Sequence, residues 1–321
     1  MNVQKPAVAL EPGSISPHAP PLPDPVAGRM MRRAAWASVG VSGLLVIAKI
    51  GAYYFTGSIA VLAALADSSV DLFASSGNLL AVRQSLTPAD RQHRFGHGKA
   101  EPLAGLGQAA FITGSATFLL FVSFQHLVEP HPLQHGTLGV LVMVFSIVLT
   151  TGLVGYQRLV VRRTRSPAIS ADSMHFLGDL LTNLGVIVGI VLSTQLHWLL
   201  ADPLIGLGVA LVLAWSAWHV FQQSYDQLMD HELPEADRER IKHIVLNHRR
   251  VRGVHDLRTR AAGTLRFIQF HIEMDPALNL VQAHEASDEV EESLLQAFPG
   301  AEIIIHQDPQ GVETPPPLAL S

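Results

Sequence analysis

The chain has 321 residues, 48% of them hydrophobic and 15% charged, with a formal net charge of −5 and no cysteine. A soluble domain carries about 25% charged residues, so the balance points to a membrane protein. The acidic net charge gives no footing for nucleic-acid binding. Without thiolates, any soft-metal site must be built from His, Asp and Glu.

Residues 1–28, "MNVQKPAVALEPGSISPHAPPLPDPVAG", are Pro-rich and lack the apolar core of a signal peptide; they read as a disordered extension. Apolar runs of about 20 residues follow at 33–55, 58–82, 102–128, 137–161, 169–194 and 199–222, six spans in a membrane domain over 29–225. No Lys or Arg occurs between Glu101 and Gln157, nor between Ser166 and Asp237. Arg29, Arg32 and Arg33 precede the first span; Arg83, Arg91, Arg94 and Lys99 lie after the second; Arg158, Arg162, Arg163 and Arg165 close the fourth. The alternate loops, "TGS", "EPHPLQHG" and "QLHWLLAD", have none, which places both termini in the cytoplasm.

From about Leu233 the texture changes. "PEADRERIKHIVLNHRR" reads as a charged amphipathic helix, "VHDLRTR" and "TLRFIQFHIEM" as strands, "LVQAHEASDEVEESLLQAF" as a second helix and "AEIIIHQD" as a third strand. This predicts an α-β-β-α-β domain over 226–311, with a disordered tail over 312–321. The fold class expected is an all-α six-helix membrane domain joined to a small α+β cytoplasmic domain.

Two apolar runs carry polar pairs that a membrane disfavours. Asp67 and Asp71 in the second, and His175 and Asp179 in the fifth, are each spaced i, i+4, on one helical face. A charged side chain at mid-membrane costs about 2.5–3.5 kcal/mol on insertion scales. Two helices presenting two ligands each can surround one cation, and three carboxylates with one imidazole suit a tetrahedral divalent ion, zinc above all. A helix-helix hydrogen-bond pair of structural value fits the spacing as well. In the loop "TPADRQHRFGHGKAEPLAG", Asp90, His93 and His97 sit within eight residues beside Gly96 and Gly98; a solvated loop would look the same. In the C-terminal domain His271 faces the polar side of its strand, His284 opens a helix, and "IIIHQDP" sets His306, Gln307 and Asp308 at a strand end. Their convergence is not readable from spacing, and His243 and His248 read as a solvated helix face.

The stretches "ALADSSVDL", "PADRQHRFGHGKAE", "ADSMHFLGD", "VHDLRTR", "RFIQFHIEM", "LVQAH" and "IIIHQDP" together resemble the cation diffusion facilitator family, from about Arg29 to Gln310. The resemblance implies that Asp67, Asp71, His175 and Asp179 form the transport site, and that Asp90, His93 and His97 form a loop site. It implies a cytoplasmic two-metal site of His255, His271, His284, His306 and Asp308, with Asp308 bridging and Gln307 nearby. It also makes Lys99 and Asp230 a charge pair that helps lock a homodimer near the membrane surface. The cytoplasmic domain would be metallochaperone-like, and the location a bacterial inner membrane.

The function expected is export of a divalent cation, chiefly zinc, with protons as counter-ion; cadmium, iron(II) and cobalt suit the same donors. Three rivals fit less well. An intramembrane aspartyl protease pairing Asp67 or Asp71 with Asp179 needs glycine where Phe176 stands, and leaves His175 idle. A metal sensor needs no buried ionisable quartet. A passive channel seldom uses a tight four-ligand trap.

Overall fold

The computed structural model describes residues 24–56, 59–128, 137–195 and 200–311. The three Arg-free loops, the N-terminal extension and the C-terminal tail lie in whole or in large part outside them. Six long helices come first: α1 (Pro25–Thr56), α2 (Ile59–Ser85), α3 (Ala100–Val128), α4 (Thr137–Thr164), α5 (Pro167–Gln195) and α6 (Ala201–Leu228). Stretches long and apolar enough to cross a membrane occur in four of them, at Pro25–Phe55, Ala100–Val128, Leu141–Thr164 and Pro203–Leu228. Four of the six expected spans meet that description. The other two helices, α2 and α5, are as long, at 27 and 29 residues, and carry the polar pairs.

The first helix starts earlier than composition suggested. Pro25–Gly28 are its first turn and not part of an extension. Asp24 caps it: Oδ1 accepts from the Val26 N–H at 2.8 Å and the carbonyl accepts from the Gly28 N–H at 2.8 Å. Proline at the first helical position gives up no hydrogen bond and has the right φ, so "DPVAG" is a helix start. At the other end α6 runs to Leu228, past the expected boundary at 225.

Helix packing relies on small residues. A Cβ on Gly105 of α3 would meet Ser224 Oγ of α6 at 2.1 Å, and one on Gly206 of α6 would meet Ser123 Oγ of α3 at 2.2 Å. The two helices therefore approach through reciprocal glycine-serine contacts, which dispersion and close fit can stabilise where lipid supplies no hydrophobic drive. Phe118, Phe121, Trp215 and Trp218 project outward from the same helices, as suits a lipid-facing surface.

The C-terminal domain has the expected order: α7 (Glu235–Leu246), β1 (Val251–Ala262), β2 (Leu265–Met274), α8 (Leu280–Ala297) and β3 (Ala301–Pro309). The sheet order is β1-β2-β3, with β1 antiparallel and β3 parallel to β2. Ile268, Phe270, Ile272 and Met274 alternate toward a core shared with Ile241, Val245, Val290, Leu294 and Phe298. Each large side chain so buried contributes about 1.5–3 kcal/mol. An Asn279–Gln282 capping box starts α8. His243 is exposed on α7 as expected. His248 lies beyond the end of α7, and its Nε2 is 2.8 Å from Glu289 Oε2 of α8.

The two domains meet at a tight seam. A Cβ on Gly98 would sit 2.2 Å from the Ala262 carbonyl oxygen, and the Gly263 N–H donates to Gln227 Oε1 at 3.1 Å. Beside it, Lys99 Nζ is 2.9 Å and Arg260 Nη1 3.3 Å from Asp230 Oδ1. Partial burial raises the Asp230 carboxyl, but Lys99 and Arg260 outweigh it and hold the group below the ordinary aspartate range.

The seam generates two predictions. Gly98→Ala forces loop and β-turn apart, so the melting temperature of the detergent-solubilised protein should fall, as read by differential scanning fluorimetry. Because the Asp230 carboxyl is depressed in the folded chain, its contribution is fully present above the ordinary aspartate pKa of about 3.9. It is lost as pH falls below that through the depressed value. Asp230→Asn should therefore lower the melting temperature at neutral pH, and the gap from wild type should close on acidification.

Candidate metal centres

In the membrane domain, α2 and α5 bring their polar pairs to one place. His175 Nε2 is 3.1 Å from Asp71 Oδ1 and 3.7 Å from Asp179 Oδ2. Ligand atoms of Asp71, His175 and Asp179 all lie within 4.8 Å of one another. Donors bound to a tetrahedral zinc at about 2.0–2.1 Å stand roughly 3.3 Å apart, so an ion would need only small side-chain adjustment. Asp71 and His175 are buried, at 8% and 5% exposure. Asp67, one turn along, lies outside that group of three but lines the same cavity as His175 and Asp179. Ile112, Ser115 and Leu213 also line this cavity of about 320 Å³. The helical period explains the convergence: Asp67 and Asp71, like His175 and Asp179, share a face, and α5 packs beside α2.

The loop between α2 and α3 folds on Asp90. Its Oδ1 accepts from the backbone N–H of His93 at 2.6 Å and of Gln92 at 2.8 Å. These two bonds, the His93 one first, hold its carboxyl below the ordinary range. His93 Nδ1 is 3.3 Å from Oδ1 and His97 Nε2 is 3.5 Å from Oδ2. Gly96 at φ +79° makes the reversal that returns His97 to the acid. The three residues form one potential ligand group at the surface.

In the C-terminal domain, strand register performs the assembly. His255 pairs with His271 across β1–β2, and His271 with His306 across β2–β3, so three imidazoles form one row. Asp308, two residues beyond His306, points to the same face. Its Oδ2 is 2.9 Å from His271 Nδ1 and 3.2 Å from His255 Nε2, while Oδ1 is 3.2 Å from His306 Nε2. Partial burial raises this carboxyl, but the His271 hydrogen bond and the charges of His306, His271 and His255 more than reverse that. One carboxylate thus faces imidazoles with both oxygens, a donor set that fits a bridging role between two divalent ions. His255, His271 and Asp308 can close on one of them.

Two expected members stand elsewhere. His284, the fifth residue of α8, is 3.7 Å from Asp288 and well exposed. Gln307 points to the opposite face, where its Nε2 donates to Ser287 Oγ at 2.7 Å; it ties β3 to α8. Lys99 and Asp230, expected at a dimer contact, pair within one chain.

Sequence reasoning passed over two intramembrane groups. Lys49 of α1 donates from Nζ to Ser68 Oγ at 2.6 Å and to the Ala64 carbonyl at 3.0 Å, beside the acids of α2. Asp172 of α5 is fully buried against Ser38 and Gln157. A lone charge within an apolar run was signal enough to find both.

Comparison with known proteins identifies the family. Residues 35–229 match the cation efflux transmembrane domain, and residues 233–310 match the cytoplasmic domain of cation efflux proteins. A protein named cation-efflux pump FieF from Klebsiella pneumoniae is 47% identical over 285 residues, covering 89% of this chain and 95% of the relative. Its namesake from Escherichia fergusonii is 46% identical over the same span of 285 residues, with the same coverage. Among solved structures, CzrB in its zinc form is 38% identical over 27% of this chain and all of its own, at a TM-score of 0.25. The chain belongs to the cation efflux family, the cation diffusion facilitators, and is a membrane-embedded cation efflux transporter.

Proposed function

We propose that this transporter exports zinc from the cytoplasm in exchange for protons, through a site formed by Asp67, Asp71, His175 and Asp179. The observation that carries the reading is His175 Nε2 standing 3.1 Å from Asp71 and 3.7 Å from Asp179, within a cavity that Asp67 also lines. One imidazole among carboxylates favours zinc over harder ions, and cadmium, iron(II) and cobalt satisfy the same donors. The relatives' names specify cations and no particular metal; zinc rests on the ligand set.

In this reading α2 and α5 cross the membrane within the shelter of the four apolar helices, with both termini cytoplasmic. Facing inward, the site takes up zinc as His175 gives up any proton, because only the neutral imidazole nitrogen can bind metal. Facing outward, protons compete for the same groups and zinc leaves. Imidazole is the side chain whose unperturbed charge change, near about 6.5, lies closest to working pH. An inward proton gradient then drives zinc out of the cytoplasm.

Two copies would associate through the cytoplasmic domains in the bacterial inner membrane. Zinc at the His255–His271–His306–Asp308 row would neutralise clustered acids and bias the membrane helices by population shift. His284, beside Asp288 on α8, and the exposed Asp90–His93–His97 loop would add ligands or further sites.

Reconstitution tests the transport site. In liposomes loaded with a zinc-sensitive dye, wild type should show saturable zinc flux that rises with an imposed proton gradient. Loss of a mere outer-shell partner lowers metal affinity by about 10–100-fold, so Asp179→Ala should lose at least that much flux while still eluting as a dimer. Full flux in the variant would refute the site. The cytoplasmic row makes a separate prediction. His271→Ala should bind fewer zinc ions per chain by equilibrium dialysis while transport-site binding persists, and loss of transport-site zinc in that variant would contradict the division of roles.

A further inference from the structure

Asp172 lies on α5 three residues before His175 and is fully buried. Four helices meet around it. Gln157 Nε2 of α4 donates to Asp172 Oδ2 at 2.7 Å and to Ser38 Oγ of α1 at 2.9 Å. Ser38 Oγ itself stands 2.5 Å from the same carboxylate oxygen. Asn78 of α2 lies against the acid. All three neighbours from the other helices are neutral, and His175, one turn along its own helix, is the titratable group whose charge bears on Asp172.

An ionised carboxylate buried without a paired cation costs several kcal/mol. Here the hydrogen-bond pattern also has a gap. Asp172 Oδ1 and Gln157 Oε1 are buried acceptors and Asn78 Nδ2 is a buried donor, none of them with a partner at normal hydrogen-bond distance among the described residues. A single proton added to the carboxyl removes that buried charge.

Ser38 makes that uptake reversible. Its hydroxyl has one proton and two acceptors: Asp172 Oδ2 at 2.5 Å and the Ala34 carbonyl of its own helix at 3.1 Å. When Asp172 is ionised, the hydroxyl turns to the carboxylate. When Asp172 is protonated, its O–H donates to Ser38 Oγ and the Ser38 proton turns to Ala34. The contact is satisfied in both states, and Ala34 lies one turn closer to the N-terminal, cytoplasm-facing end of α1.

From this geometry we infer that Asp172 is a proton-binding site distinct from the four metal ligands, exchanging its proton with the cytoplasmic side as metal is carried. The inference rests on the proton-coupled reading above. The step is proton transfer alone: an O–H bond forms at Asp172 as a proton arrives and breaks as it leaves, with no change in oxidation state. Asp172 is three residues, roughly 4.5 Å of helix rise, from His175, close enough for its charge to depend on what that site holds.

Asp172→Asn keeps size and hydrogen bonds and removes the exchangeable proton. It should bind zinc in detergent as wild type does, yet lose the response of zinc flux to a proton gradient. Gradient-responsive flux equal to wild type would overturn the inference. Infrared difference spectra of the full-length protein, taken between the acid and alkaline sides of neutrality, give a second reading. A protonated-carboxyl band present in wild type and absent from Asp172→Asn supports the site; a band unchanged by the substitution overturns it. If wild-type flux itself ignores the gradient, the antiport reading fails, and the infrared band still decides whether Asp172 holds a proton.

Discussion

Burying carboxylates and imidazoles among apolar helices is the constraint on which this molecule turns. Each such group is costly in a membrane unless something offsets its charge, and α2 and α5 accept that cost at several positions within a few turns. The surrounding structure limits it. The apolar helices α1, α3, α4 and α6 pack against the polar pair, with reciprocal glycine-serine contacts letting α3 and α6 approach closely. The polar side chains answer one another across the enclosed space: His175 with Asp71 and Asp179, Lys49 with Ser68, Asp172 with Ser38 and Gln157. A divalent cation is the strongest available offset for the first group. In the proposed reading, the same arrangement would attract metal and release it when protons take its place.

The cytoplasmic domain solves a related problem with a different architecture. Its core is an ordinary apolar layer between sheet and helices, and its other face is free to carry function. Register sets three imidazoles side by side there, and a single acid at the end of β3 faces all of them. The seam at Gly98, Gly263 and the Lys99–Asp230–Arg260 cluster fixes this domain against the ends of the membrane helices. A change in one domain therefore has a short, stiff route to the other.

Much of this is legible in the sequence, because helical and strand periods act locally. The i, i+4 spacing of Asp67 with Asp71 and of His175 with Asp179 is enough by itself to put each pair on one face, and the alternation in "RFIQFHIEM" correctly separates core from surface. What escapes depends on distant partners or on a signal read for the wrong purpose. The His255–His271–His306 row depends on a parallel pairing made across α8 and on an irregularity in β1 between His255 and Arg258, neither of which spacing reveals. Gln307 follows from the same alternation, since a residue between His306 and Asp308 must face away from both. Asp24 and Pro25 are a helix start hidden in a proline-rich stretch. Asp172 is visible as an isolated acid, but its meaning comes from Gln157 on the preceding helix and from Ser38, 134 residues earlier in the chain.

The most direct test of the central claim is the zinc X-ray absorption spectrum of a protein whose membrane site is the main one left. In the full chain, His93→Ala, His97→Ala, His255→Ala, His271→Ala, His284→Ala and His306→Ala together remove the imidazoles of the proposed loop and cytoplasmic sites. The bound zinc should then show a four-coordinate shell of nitrogen and oxygen at about 2.0–2.1 Å, with the outer-shell scattering of one imidazole. A shell with two or more imidazoles, or no zinc retained at all, would contradict a site made of three aspartates and His175.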